Sequence, residues 1–427
     1  MPSDARWKST EPVAVQATAT EQEALSLLTA QAVRSRARQM LDLGLRDGLA
    51  HFTIDADRLE NVVDAVLAIT RRSYPSLKIP FHARWRHFVR GGVDRWAAHA
   101  GSASWSDRAA RGRAEFDLAV VSVLLDAGAG PLWRYRDRVS GQGIGRSEGL
   151  ALASLDMFVN GTFSGDERDP CRVDADVIAN LPTARLKDGF QVSDANPLVG
   201  FDGRADLLRR LGRLVSGRPQ VFALHDRARP GGLFDHLAAQ AQDGAIAAPT
   251  ILFEVLVHLG PIWPSRIELA GIPLGDCWRH PSIRAPGAAD GLVPLHKLSQ
   301  WLTYSLIEPL ERAGLSVTDI DGLTGLAEYR NGGLFIDHDV LRLRDPEDAE
   351  RAHDFGSCLV VEWRALTVAL LDLLAERVRS RLGRSAGSLP LASLLEGGTW
   401  AAGRAAAFER RADGAPPIKV VSDGTVF

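Results

Sequence analysis

The sequence predicts a mainly α-helical protein: a large multi-helix domain with at most a small β-sheet. Three observations carry this reading. Apolar residues recur at helical spacing in one segment after another, strand-like alternation is scarce and short, and no strand–helix repeat of fixed period occurs.

Residues 1–22 are polar and poor in large apolar groups, and they predict a disordered arm. Ala24, Leu27, Leu28, Ala32 and Val33 then open a helical pattern that runs to Leu45. A second helix starts at Asp55 or Asp57, both capping residue types, and carries Leu59, Val62, Val63, Val66 and Leu67. A third covers Asp107 to Asp126 and is stopped by a Gly-Pro segment. Further helices are predicted over 148–159, 205–215, 233–242, 249–259, 295–313 and 356–382. The better strand candidates are 334–336 and 418–421. Residues 23–383 read as one large unit. Residues 384–427, punctuated by Gly and Pro around a short helix at 391–395, read as a tail packed on it.

The 427 residues are 45% hydrophobic and 24% charged, with a net charge of −3. That balance argues against bulk nucleic-acid binding, which needs a basic surplus. Three cysteines far apart, with no CxxC pair, exclude a disulfide framework and a zinc knuckle and fit a reducing compartment. No apolar leader opens the chain, and runs such as 118–125 fall short of the roughly 20 residues a membrane span needs. The expectation is a cytoplasmic protein with no membrane or nucleic-acid partner. An apolar helix face looks alike in a core and in a dimer interface, so a homodimer stays open.

Several clusters carry candidate chemistry. Residues 141–147 lack both the dinucleotide fingerprint and the triphosphate loop. Ser147 can cap the following helix, with Arg146 beside an anion at its N-terminus, or the segment is a plain turn. In Phe81–Phe88, Arg and Trp interleave. A helix there would put His82, Trp85 and Arg86 on one face, fit for stacking or phosphate contact or simply half-buried. Asp276, Cys277, Trp278 and Arg279 sit in the Gly/Pro-rich stretch 264–294, as a substrate contact or as a pair fixing the loop. Cys277 has no His positioned to make it a nucleophile.

The region 294–337 is the most informative. Lys297, Gln300, Tyr304 and Glu308 form a row of hydrogen-bonding side chains, by default a solvated face. With 45 Arg and five Lys in the chain, however, a Lys at 297 has a claim to a specific role. Asp319, Asp321, Glu328, Tyr329 and Arg330 follow, bounded by glycines. Such carboxylates can position water or stabilise positive charge at a sugar carbon, or they can cap and pair on the surface.

The strings FHARWRHF, LLDAGAGPLWRYRD, GRSEGLALASLDMF, NPLVGFDGRADLL, RPGGLFDHL, LGDCWRHP, LVPLHKLSQWLTYSLIEPLE and DGLTGLAEYRNGGLFID resemble the uracil-catabolism protein four family, long catalogued as a domain of unknown function. The likeness runs from about Leu27 to Phe427. It implies a part in the route that opens the uracil ring and releases urea, with cleavage of the bond between urea nitrogen and ribose as the natural step. His296-Lys297-Leu-Ser-Gln300 and Asp319 to Arg330 also resemble two motifs of the queuosine-salvage nucleoside glycosidases, matching at Lys297, Gln300, Asp319, Thr324, Tyr329 and Arg330. Glu328 stands where those enzymes carry Asp, and Asn331-Gly332-Gly333 replaces a proline-containing continuation. This second resemblance implies a helical core like that of DNA glycosylases.

Together the resemblances imply an N-ribosidase without metal or cofactor, acting on a ribosylurea or its 5′-phosphate through an oxocarbenium-like state. Glu328 would face the sugar carbon or activate water, and Asp321 or Asp276 would protonate or bind urea. Lys297 and Arg330 would hold ribose hydroxyls or phosphate, with Arg279 and Arg86 as further phosphate contacts. Gln300 and Asp319 would line the site, and Trp278 and Tyr329 would wall it. Two other readings remain: a non-catalytic protein that binds a pathway ligand or partner, and an amidohydrolase. For the latter the sequence offers no credible metal-ligand set or nucleophile.

Overall fold

A helix whose apolar residues cover every face must be surrounded by other helices, and two segments meet that condition. In the helix Arg108–Leu124, every residue from Ala114 to Leu124 is buried. In the 25-residue helix Cys358–Leu382, Leu359 to Leu371 are all buried. The computed structural model, which describes residues 18–126, 128–224, 227–263 and 267–421, places these two helices at the centre of packed pairs. Arg108–Leu124 packs on Lys297–Ala313, and Cys358–Leu382 packs on Ala30–Leu45. Tyr329–Asp337 packs on Trp400–Arg410, so residues beyond 384 lie against the body. One apolar cluster runs from Ala24 to Ile418. Helices dominate, and among the described residues strands pair only two by two. Among those residues no helix is long and apolar enough to cross a membrane.

Several expectations need correction. The helix Ala19–Leu27 begins inside the expected arm. Thr18 accepts from the Glu21 N–H, and Glu21 reaches back to the Thr18 N–H at 2.7 Å, a reciprocal cap that makes even polar residues 19–22 helical. The rest of the arm, residues 1–17, lies outside the described residues. The helical pattern expected from 24 to 45 is broken at Thr29, whose extended backbone lets its hydroxyl cap a second helix, Ala30–Leu45. Neither Asp55 nor Asp57 caps Leu59–Ser73, because a 3₁₀ turn, Ala56–Arg58, intervenes and Asp55 pairs with Arg58.

Residues 334–336, expected as a strand, lie in the second turn of the helix Tyr329–Asp337: the cap at Glu328 sets the local structure, and the short apolar run fits a buried helix equally well. The strand expected at 418–421 is the two-residue Lys419–Val420, paired in parallel with Ala352–His353. Residues 84–88 form a 3₁₀ helix, which removes the shared face expected for His82, Trp85 and Arg86.

Lys297–Ala313 contains Pro309, which has no N–H for the Ser305 carbonyl. Trp85 Nε1 donates to that carbonyl instead, at 2.7 Å. The arginine-rich 3₁₀ turn is thereby tied to the helix that carries Lys297.

Candidate active site

Lys297 is the first residue of its helix, and Asp276 fixes that start by accepting from the Lys297 backbone N–H at 3.0 Å. Asp276 is buried and fully engaged. Arg364 grips both its oxygens at 2.8 and 2.7 Å, and Trp278 Nε1 donates at 2.7 Å. Burial would raise its pKa, but the guanidinium and the donated hydrogen bonds outweigh it and hold the carboxyl at about 2. Asp276 therefore carries no proton to give a leaving group at neutral pH. Its geometry is that of an anchor.

Glu328 is the cap of the next helix, accepting from the N–H groups of Arg330 and Asn331 at 2.7 Å each. Loss of water around it pushes its pKa above the ordinary carboxylate range, although the two N–H groups and the charge of Lys297 pull the other way. Lys297 is displaced in the opposite sense: its pKa is lowered by desolvation, against the attraction of Glu328 and Asp126. Its Nζ makes no hydrogen bond or ion pair among the described residues. A desolvated ammonium and a desolvated carboxylate thus attract each other from beyond ion-pair distance, both in partly exposed residues.

Around this pair stands a network the sequence did not assemble. Arg84 is fully buried and pairs with Asp126 at 2.8 Å, and its Nε donates to Ser122 at 2.7 Å. Ser147 donates to Asp126 at 2.6 Å instead of capping its helix, because Arg146 begins that helix with a φ of 57° and turns Ser147 inward. His87 lies 3.1 Å from Arg84 Nη1, and desolvation together with the Arg84 charge keeps it neutral. His82 Nδ1 sits 2.8 Å from Glu396 Oε2, its ring stacks on Trp301 at 6.3 Å, and it interacts electrostatically with Glu328. Among the described residues, the buried donors Arg84 Nη2 and Trp301 Nε1 of this cluster have no acceptor. Buried donors without partners are uncommon and cost stability, so a ligand rich in oxygen acceptors fits this cluster.

The remaining candidates divide. Tyr329 borders the pair: Arg330 stands 5.0 Å over its ring, and the charges of Glu328 and Arg146 both act on it. Gln300 is buried and clamps Thr324 through both ends of its amide, so it supports the site from behind; the row it shares with Tyr304 is core and not a solvated face. Arg330 turns its Nη1 to the Gly414 carbonyl at 3.0 Å. Arg86 is occupied by Glu308, at 2.6 and 2.7 Å. Trp278 is buried beside Asp276, and Arg279 is exposed on the hairpin formed with Leu292–Pro294. Asp321 accepts from Arg379 and from the Leu391 N–H at 2.6 Å each. Asp319 is exposed in a surface cleft of about 800 Å³ shared with Arg34, Arg38 and Asp42. No interaction among the described residues links these two aspartates to Lys297 or Glu328. Burial pushes the Cys277 thiol far up, away from the thiolate a nucleophile needs.

Residues 26–427 match a family described as a protein of unknown function (DUF1688). The chain belongs to that family. It is 39% identical to "Protein urg3" of Schizosaccharomyces pombe over 411 residues, 94% of this chain and 98% of that one. It is 38% identical to "Uracil catabolism protein 4" of Lachancea kluyveri over 429 residues, 92% of this chain and 97% of that one. The family match takes in every candidate residue, and both relatives are covered almost end to end.

Proposed function

We propose that this protein works in uracil catabolism as an N-ribosidase that hydrolyses the bond between urea nitrogen and ribose in a ribosylurea or its 5′-phosphate. The observation that carries the reading is the desolvated pair of Glu328 and Lys297, backed by the name "Uracil catabolism protein 4" of a relative matched over 97% of its length. A carboxylate whose pKa is raised by burial is suited to taking a proton near neutral pH.

In the proposed step the C1–nitrogen bond breaks with its electron pair passing to urea. A water oxygen bonds C1, and Glu328 takes that water's proton. The departing nitrogen takes a proton from His82, which Glu396 orients. Lys297 Nζ, Arg84 Nη2 and Trp301 Nε1 supply donors for the ribose hydroxyls, the phosphate or the urea carbonyl. Asp276 positions Lys297 and takes no part in proton transfer.

Purified protein incubated with ribosylurea and with its 5′-phosphate, with and without chelator, tests the reading. Urea is expected from one of them in both conditions. No urea from either compound would overturn it.

A further inference from the structure

A second cluster of ligating side chains lies on two other helices and shares no residue with the candidate active site. Glu254 and His258 stand one turn apart on Ala248–Leu259, and His236 comes from Gly232–Gln240. Their ligand atoms all lie within 4.8 Å of one another. His236 Nε2 and His258 Nε2 both face the same oxygen, Glu254 Oε2, at 2.7 and 3.0 Å, with the two rings edge to face at 4.9 Å. We propose that His236, Glu254 and His258 bind a divalent cation of the zinc class.

The donor chemistry suits such an ion: two neutral imidazole nitrogens and one carboxylate oxygen. Zinc-bound nitrogen and oxygen ligands in a tetrahedral shell lie about 3.4 Å apart, so the two imidazole nitrogens need to draw back from Glu254 Oε2 by only about 0.4 to 0.7 Å to admit the ion. Two ligands at i, i+4 on one helix fix one edge of the tetrahedron, and the third closes it from the neighbouring helix. All three side chains are 13–25% exposed, which leaves an entry path and a fourth position for water. Gln240, one turn beyond His236, brings its amide to 2.8 Å from His236 Nε2, and its carbonyl oxygen can fill that position after a half-turn of the amide. The ion ties Gly232–Gln240 to Ala248–Leu259, so its removal acts on stability and leaves the Glu328–Lys297 chemistry in place.

The test strips the full-length protein with chelator, then titrates it with Zn²⁺ by calorimetry, following thermal unfolding in parallel. One equivalent is expected per chain, with a higher Tm in the zinc-loaded form. His258→Ala and Glu254→Gln should each lose more than about 100-fold in affinity and show no chelator effect on Tm. His236→Asn, at the most exposed ligand, covers the case in which those two fail to fold. Co²⁺ should give a visible absorption band with the wild type that is absent from His236→Asn. Failure of the wild type to take up stoichiometric Zn²⁺, or full uptake by a folded variant, overturns the proposal. Because the readouts are uptake and Tm, they stand apart from the urea assay.

Discussion

Of the three carboxylates that act on Lys297, Asp276 and Glu328 are driven furthest apart by their surroundings. Asp276 is gripped by a guanidinium fork and an indole N–H and sits at about 2, while Glu328 has two backbone N–H groups and the more distant charge of Lys297 and is pushed upward. Desolvation is common to both; what differs is how many charged or hydrogen-bonding donors each receives. A carboxylate saturated by donors becomes a structural pin. One left short of them becomes able to carry a proton under mild conditions.

The contrast can be broken by substitution. Glu328→Gln keeps an oxygen to cap the helix but cannot take a proton. Urea release should fall about 10³-fold, within the range for general-base loss, with Tm nearly unchanged. Asp276→Asn should do the reverse: it takes the carboxylate charge of Asp276 away from buried Arg364 and should cost about 3 kcal/mol of stability in denaturant unfolding. A Glu328→Gln protein with full turnover would end the assignment of Glu328, and an Asp276→Asn protein of unchanged stability would end that of Asp276.

The pH dependence sharpens the comparison. The base must be ionised and both His82 and Lys297 protonated, so kcat/KM should rise through a midpoint that desolvation of Glu328 moves above 4.5 and fall once either donor loses its proton, at the latest where desolvation has moved Lys297, below 10.5. The stability signs are opposite. A raised Glu328 contributes stability that is lost as pH rises through its folded value. A lowered Asp276 contributes stability that is lost as pH falls toward about 2. A rate limb at an ordinary carboxylate pKa, removed by no change at Glu328, would point to another base. The smallest effect is expected at Arg279, exposed on its hairpin: Arg279→Ala should change stability by less than about 0.5 kcal/mol and leave KM unaltered.

The central helices were legible because a 3.6-residue apolar period survives any tertiary context; Lys297 stood out by the rarity of Lys, and Glu328 only through the resemblance to the nucleoside glycosidases. Asp126 read only as the end of a helix, and Glu396, in a segment read as a tail, drew no notice. Yet Asp126 holds Arg84 and Ser147, and Glu396 holds His82. The cluster of His236, Glu254 and His258 was passed over as well, although the i, i+4 spacing of Glu254 and His258 was there to read; its third member lies on a different helix. Asp321 looked equal to Glu328 in the sequence and instead anchors Arg379 and Leu391.

By itself, then, the sequence determined the helical class, the segments that must be buried and the short region that bears the carboxylates, because these follow from local period and residue chemistry. Only the tertiary structure decided which carboxylate is raised above the ordinary range and which is held below it. That depends on which donors arrive from residues up to 88 positions away, as Arg364 does for Asp276, and on how much water the packed helices exclude.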